Sequence, residues 1–150
     1  MEKGIYYKFV KMDLSQFATF DEGIAINDGE EVGIGIKHQF AYKFSRGLVL
    51  CKTTVDYSLY QSNLLKAELD CIFQIDSESV ERLEKDGGEI TLPSGLLRQL
   101  ASLAYGTLRG IIFAKTMNTQ LNNIILPLAD VREFVKDDVV FKKDEKICGF

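Results

Sequence analysis

The chain has 150 residues and a formal net charge of −4, so we expect one domain with its own core. The acidic balance and the lack of a basic cluster argue against a nucleic-acid surface, because binding phosphates requires concentrated Lys and Arg. The amino-terminal sequence lacks the apolar run and small-residue cleavage site of a signal peptide. No stretch reaches the roughly 18 apolar residues of a transmembrane helix.

The cysteines are Cys51, Cys71 and Cys148. Their number is odd and their spacing does not match a set of metal ligands. Cys51 and Cys71 fall on the apolar side of predicted strands, where they are expected to be buried and reduced. Reduced thiols favour a cytoplasmic location.

Residues 5–20 predict a first strand with an imperfect alternation. Ile5, Tyr7 and Phe9 stand at odd-numbered positions, whereas Leu14 stands at an even-numbered position, so they would point to opposite faces of a regular strand. A β-bulge near Lys11 and Met12 would explain the switch, because one extra residue shifts the side-chain parity. A polar connection, residues 21–32, follows with an Asn-Asp-Gly turn signal.

A clean alternation of apolar and polar residues spans residues 34–44, 49–59 and 65–75. The turns between these segments are short. This pattern is typical of antiparallel strands that have one dry face and one solvated face. Residues 76–92 then cross towards a long helix, and Asp76 or Ser77 is expected to cap a short helical turn on the way.

The long helix is predicted to open near Pro93 and to run from Leu96 to about Met117. Its apolar residues lie nearly all round, so it needs cover from more than one sheet. The tail, residues 132–150, is charged and alternates loosely, which fits a short helix, a strand or a flexible segment. The predicted fold class is α+β: a four-stranded antiparallel sheet, a crossover segment and one long C-terminal helix, in a single domain of residues 1–150.

Small residues form a stripe along the predicted helix, at Ser102, Gly106 and Gly110. Glycine inside a helix costs about 1 kcal/mol relative to alanine, so a pair of glycines suggests close packing. Two interpretations stand: the stripe packs against the chain's own sheet, or it packs against the same helix of another subunit.

Residues with catalytic chemistry are scarce. His38 is the only histidine, and without a nucleophile or carboxylate partner it is expected to be a hydrogen-bonded core or rim residue. Gly33 and Gly35 do not complete a phosphate-binding motif. Glu68 and Asp70 form either an anionic docking patch or a plain solvated face. The charged run at 142–146 is interpreted as a solvated tail.

Residues 98–131 resemble the C-terminal half of the SecB export chaperones. The strongest part is Tyr-Gly-Thr-Leu-Arg-Gly-Ile-Ile-Phe at 105–113. Thr116, a short polar link and Ile-Leu-Pro-Leu at 125–128 follow. The strand pattern extends the resemblance to about residues 5–135.

The resemblance implies a four-stranded antiparallel sheet, a crossover and a long helix. It also implies an assembly in which two subunits pair sheet edges and the pairs stack through their helices as a homotetramer. SecB-like proteins hold unfolded precursor proteins in the cytoplasm and deliver them to the SecA ATPase for export. They use no cofactor and are not enzymes. A second C-terminal amphipathic helix of the family is not evident in residues 132–150.

Candidate site residues follow from this resemblance. Clients would bind apolar residues at the margin between helix and sheet: Phe44, Phe73, Val80, Leu83, Ile90, Leu92 and Leu97. Asp13 and Glu68 match the acidic residues that would dock SecA.

Two alternatives to an export chaperone are kept. The first is a SecB-like chaperone that serves a toxin–antitoxin pair. The second is a cavity domain for a lipid or another small molecule, favoured by the aromatic residues that face the helix: Phe40, Tyr42, Phe44, Tyr57 and Phe73. An enzyme is least favoured, because the helix comes late in the chain and no acid–base pair is apparent.

Overall fold

A four-stranded antiparallel sheet forms the body of the chain. The computed structural model describes residues 4–85 and 87–143. The strands are β1 (Tyr7–Thr19), β2 (Gly33–Lys43), β3 (Leu48–Leu59) and β4 (Ser62–Ile75). Their order is β1-β4-β3-β2, so the first strand returns to pair with the fourth, and β1 and β2 form the two edges.

Two irregularities bend β1, between Phe9 and Lys11 and between Leu14 and Gln16. The first lies beside the predicted bulge. It places Phe9 opposite Phe73 and Leu14 opposite Leu69, so both apolar side chains reach the dry face of the sheet despite their different parity.

The crossover contains more structure than the sequence predicted. It holds α1 (Ser77–Leu83), β5 (Glu84–Lys85) and β6 (Glu89–Leu92), and it leads into α2 (Ser94–Lys115). A further strand, β7 (Val139–Lys142), pairs with β6 to complete a second sheet of order β5-β6-β7. The expectation of one long C-terminal helix is therefore wrong in two respects: residues 4–85 and 87–143 contain two α-helices, and a strand follows the longer one.

The core lies between α2 and the dry face of the four-stranded sheet. The helix buries Leu97, Leu100, Ala101, Ala104 and Leu108 completely. Two alanines on this face allow the helix axis to lie close to the strands. Large side chains of the sheet, Tyr42, Tyr57, Leu69 and Phe73, fill the remaining space.

The segment after α2 docks back onto its beginning. Two short 3-10 helices, Gln120–Asn123 and Val131–Glu133, precede β7. Asp138 Oδ1 accepts a hydrogen bond from the backbone N–H of Ser94 at 2.7 Å, which satisfies an otherwise free donor at the start of α2. Arg98 Nε donates to the carbonyl of Val135 at 2.9 Å. These bonds hold the described part of the tail on α2, whereas the rest of the charged run and Cys148 lie outside the described residues.

Cys51 and Cys71 are buried free thiols, as predicted, and they lie opposite each other on β3 and β4. Burial raises the pKa of Cys51 to about 12 and that of Cys71 to about 11, so both remain protonated and unreactive at neutral pH. Within residues 4–85 and 87–143, no helix is long and apolar enough to cross a membrane.

Candidate functional site

One face of α2 has no cover from the described part of the chain. Ser102, Gly106 and Gly110 are exposed on it. A Cβ atom added to either glycine would meet no atom within 4 Å, apart from the glycine's chain neighbours and the nearby helix backbone. The stripe of small residues therefore faces away from the chain's own sheet, and the first of its two interpretations is wrong.

Large apolar side chains accompany this stripe. Leu103, Phe113 and Met117 are 45%, 60% and 55% exposed. The prediction that α2 is apolar on more than the side facing the sheet is confirmed, because Leu103 and Phe113 lie on the side of the helix that does not meet the sheet. Met117 follows in the turn just beyond the end of α2. The stripe Ser102, Gly106 and Gly110, together with Leu103, Phe113 and the adjoining Met117, is called the open face of α2 below.

An open groove of about 400 Å³ runs beside the open face. Its helix wall includes Gly106, Gly110 and Phe113, and its opposite wall is the chain between Asn122 and Leu126. Gly106 and Gly110 have no side chains, so the helix contributes only backbone atoms to the wall at these two positions. The groove therefore has room beside the glycines for the side chains of an extended polypeptide.

The opposite wall of the groove and the residues just after it present the most exposed aliphatic side chains of the described residues. Ile125 is 85% exposed and Leu128 is 87% exposed, whereas Leu126 between them is 5% exposed and packs into the core. Tyr105 Oη donates to the carbonyl of Pro127 at 2.6 Å. This bond joins the two parts of the motif that carried the SecB resemblance, and it holds Ile125 and Leu128 outward.

The predicted client-binding residues divide into two groups. Phe73, Ile90, Leu92 and Leu97 are fully buried and belong to the core in this structure, because α2 and β7 cover them. Phe44, Val80 and Leu83 are half-buried around the crossover and still offer some surface. The sequence predicts all seven at the margin between helix and sheet, with an ordinary core position as the favoured alternative for each, and the first four take that alternative.

The most exposed apolar residues around the groove were not among the predicted site residues. Ile125 and Leu128 stood in the quoted motif, and apolar residues on both sides of a proline could have indicated an extended segment that cannot bury every side chain. Leu103 and Phe113 could have been found by dividing the predicted helix into a face that meets the sheet and a face that does not.

Acidic side chains gather on the solvated face of the sheet. Asp13 lies opposite Asp70 on the neighbouring strand, and Glu68 shares that face two residues away. Lys52 Nζ is 3.4 Å from Glu68 and 3.8 Å from Asp70. Burial raises the pKa of Asp70, Glu68 and Asp13 add to the rise, and Lys52 opposes it. The structure therefore brings Asp13 and Glu68 into one acidic patch.

His38 is a structural residue, as predicted. Its Nδ1 lies 2.9 Å from Thr53 Oγ1, and its ring makes edge contacts with Tyr105 and Phe134. Burial lowers the pKa of His38 to about 4, so the ring is neutral at pH 7. Gly33 and Gly35 lie inside β2 opposite Ser58 and Asp56 and not in a phosphate-binding loop. No three His, Cys, Asp or Glu side chains of the described residues cluster as metal ligands would.

Comparison with known proteins finds no family model and no curated protein that matches the sequence. The fold is similar to that of a SecB-like chaperone of Mycobacterium tuberculosis, solved in complex with a ChAD peptide from the HigA1 antitoxin. The two structures superpose with a TM-score of 0.55 at 7% sequence identity, over 83% of this chain and 88% of that chain. The likeness confirms a SecB-like α+β fold; at this identity it bears on the fold alone.

Proposed function

We propose that this protein is an ATP-independent holdase chaperone that binds apolar segments of unfolded polypeptides. The observation that carries the proposal is the groove beside α2, with Phe113 and the exposed Ile125 in its walls and Leu128 exposed just beyond it. Burying apolar surface stabilises a complex by about 25 cal/mol per Å². Side chains of this kind bind clients of many sequences, because the hydrophobic effect is not directional.

One groove on a single chain would bind weakly, because ordering an unfolded client opposes the gain from burial. An assembly that carries several grooves raises the effective affinity through linkage. The proposal therefore includes a homotetramer in which the open faces of α2 pack together. Gly106, Gly110 and Phe113 belong both to that face and to the groove wall, so in the assembly the exposed Ile125 and Leu128 carry client binding. The proposal includes no cofactor and no catalytic step, and it places the protein in the cytoplasm.

Two kinds of client suit this proposal. Precursor proteins for export are the first, and the acidic patch is then the surface for SecA. An antitoxin segment is the second, and the structural neighbour supports it because that protein was solved with a peptide from an antitoxin. Both clients are extended chains with apolar residues, so the same groove would serve either.

The alternative of a lipid-binding cavity has little support in the packing. Of the aromatic residues predicted to line such a cavity, Tyr42, Tyr57 and Phe73 are at most 1% exposed. Tyr42 packs edge-on against Phe44, and Phe73 packs against Tyr7 and Phe9. Tyr57 contributes to the lining of the groove beside α2, which is open to solvent and is not an enclosed cavity.

The proposal predicts that the protein suppresses aggregation of a refolding client at stoichiometric amounts and without ATP. Light scattering of several chemically denatured clients, diluted with and without the protein, measures the effect. An equal amount of an unrelated acidic protein of similar size controls for crowding. Aggregation that is unchanged across all clients would contradict the holdase proposal, and native mass separates a tetramer from a monomeric binder.

The acidic patch gives a second prediction. Changing Asp13→Arg together with Glu68→Arg should weaken SecA binding at least about tenfold at low salt and leave client binding unchanged, because rim charges act mainly on docking. Titration of SecA by calorimetry measures this. Asp28→Arg with Glu31→Arg makes the same charge change in the connection between β1 and β2 and serves as the control. If the starting protein has no SecA affinity, the export role fails and the antitoxin client is favoured.

A further inference from the structure

We propose that β6 is an acceptor strand for extended clients and that the chain's own β7 occupies it until a client strand displaces it. This inference rests on the proposed function and adds a binding site distinct from the groove beside α2. The partner is a polypeptide segment in extended conformation with apolar side chains at alternate positions.

The pairing of β7 with β6 shows what the acceptor recognises. Phe141 lies opposite Ile90 and Val139 opposite Leu92, and directly opposed side chains on one face of an antiparallel pair are in contact. Val140 and Lys142 point outward and are exposed. The site therefore accommodates two apolar side chains at positions i and i+2 of the bound strand, one of them aromatic. It binds the backbone through the hydrogen bonds of the β-ladder, which any sequence can make.

The surface beneath β7 is the apolar margin that the sequence predicted for clients. Ile90 and Leu92 are fully buried, and Phe141 and Val139 of β7 lie directly opposite them. The Tyr42 ring lies 6.1 Å from that of Phe141 and 4.8 Å from that of Phe44. Detachment of β7 would expose Ile90, Leu92 and the Tyr42 ring beside the half-buried Phe44. These side chains would then line one continuous apolar cleft along the crossover.

β7 is attached weakly enough to be exchanged. It has four residues, and among the described residues it pairs with β6 alone, on one side, and exposes every second side chain. Just past its end, the backbone N–H of Lys143 also donates to the carbonyl of Gly88 at 2.8 Å. Short elements with one buried anchor open at a lower free energy than the main core. The hydrogen bonds to Val135 and Asp138 keep the preceding segment on α2, so β7 can leave by bending just beyond Asp138 without loss of the rest of the fold.

Self-occupation has a quantitative consequence. A client strand binds only the fraction of molecules in which β7 is detached. Its apparent Kd therefore equals the intrinsic Kd divided by that fraction. An opened fraction of about one in a hundred would weaken client binding about a hundredfold. Releasing β7 should restore this affinity, and locking it in place should abolish binding at β6.

The test uses one locked and one released form of the full chain. Thr91 and Val140 are cross-strand partners whose side chains are not buried, and paired Cα atoms at about 4.5–5.5 Å can accept a disulfide. Thr91→Cys with Val140→Cys, in a Cys148→Ser background, locks β7 when oxidised and frees it when reduced. Phe141→Asp removes the apolar anchor and should release β7 permanently.

The probe is a labelled synthetic peptide with the sequence of residues 137–143, and the same peptide carrying Phe141→Asp is the negative control. Fluorescence anisotropy should show at least tenfold tighter binding to the released form than to wild type, and at least tenfold weaker binding to the oxidised lock than to the reduced lock. Binding to the oxidised and reduced forms that differs by less than twofold would overturn the inference. The locked pair decides the matter even if Phe141→Asp does not fold.

Failure of this inference can be told apart from failure of the holdase proposal. If the oxidised lock suppresses client aggregation as well as the reduced form does, clients use the groove beside α2 and not β6. If the unmodified protein suppresses no aggregation, the holdase proposal fails, while binding of the 137–143 peptide still decides whether β6 accepts a strand in trans.

Discussion

Changing Ile125 and Leu128 together to serine is expected to weaken client binding at least tenfold while leaving the fold intact. Both side chains are more than four-fifths exposed, so the folded chain gains almost nothing from them, and exposed substitutions usually change the free energy of unfolding by no more than about 0.5 kcal/mol. A client that covered them would gain about 1.5–3 kcal/mol for each side chain fully buried. The double change removes most of that gain.

The measurement pairs aggregation suppression with urea unfolding of the same variant. Tyr6→Ser is the control: Tyr6 is 71% exposed but precedes β1 at the end of the sheet that lies away from the groove, and it should alter neither property. Client binding that survives Ile125→Ser with Leu128→Ser would remove this segment from the binding site. A large loss of stability would show that the two side chains are covered in the assembled protein.

The long elements could be predicted because their patterns are local. β2, β3 and β4 each alternate between a dry and a solvated face, so every second residue reports the same environment. α2 was predicted from Pro93 to about Met117 and spans Ser94–Lys115, because an apolar helix that begins at a proline and ends before a polar turn has clear limits.

The small sheet could not be predicted, for a physical reason. β5, β6 and β7 are two to four residues long, too short for a periodic signal. Leu92 meets Val139 across a large separation in sequence, and such a pairing depends on where α2 places its own ends. Neither segment carries that information alone, so the tail stayed undecided between helix and strand.

The exposure of the proposed client surface was hard to predict from the sequence for a different reason. Apolar residues are normally assigned to a core, and the proline beside Ile125 and Leu128 is a weak signal against that assignment. The sequence around Ile90 and Leu92 carries no signal that a distant strand covers them. The stripe at Gly106 did carry information: small residues indicate that another backbone approaches closely, but the sequence alone cannot say whose backbone it is.

The remaining prediction concerns that stripe and the assembly. Gly106→Leu should convert a homotetramer into a folded dimer held by sheet edges. In the isolated chain a side chain at Gly106 meets open space, and replacing a helical glycine by leucine should stabilise the helix by up to about 1 kcal/mol. Between two packed helices the same side chain would force the backbones apart and cost about 1–3 kcal/mol, repeated at each symmetry-related contact. The substitution is therefore expected to raise the stability of an isolated chain and to lower the stability of a tetramer that packs through α2.

Analytical ultracentrifugation and thermal unfolding of the same variant separate these outcomes. Gly95→Leu is the matched control, because Gly95 also belongs to α2 and has open space around it but lies about 16 Å along the helix from Gly106. It should keep the tetramer. A Gly106→Leu protein that remains tetrameric and melts no earlier would show that the open face of α2 is not the contact between subunits. A starting protein that is monomeric would leave Leu103, Phe113 and Met117 as a free apolar surface, and that surface would then belong to the client site.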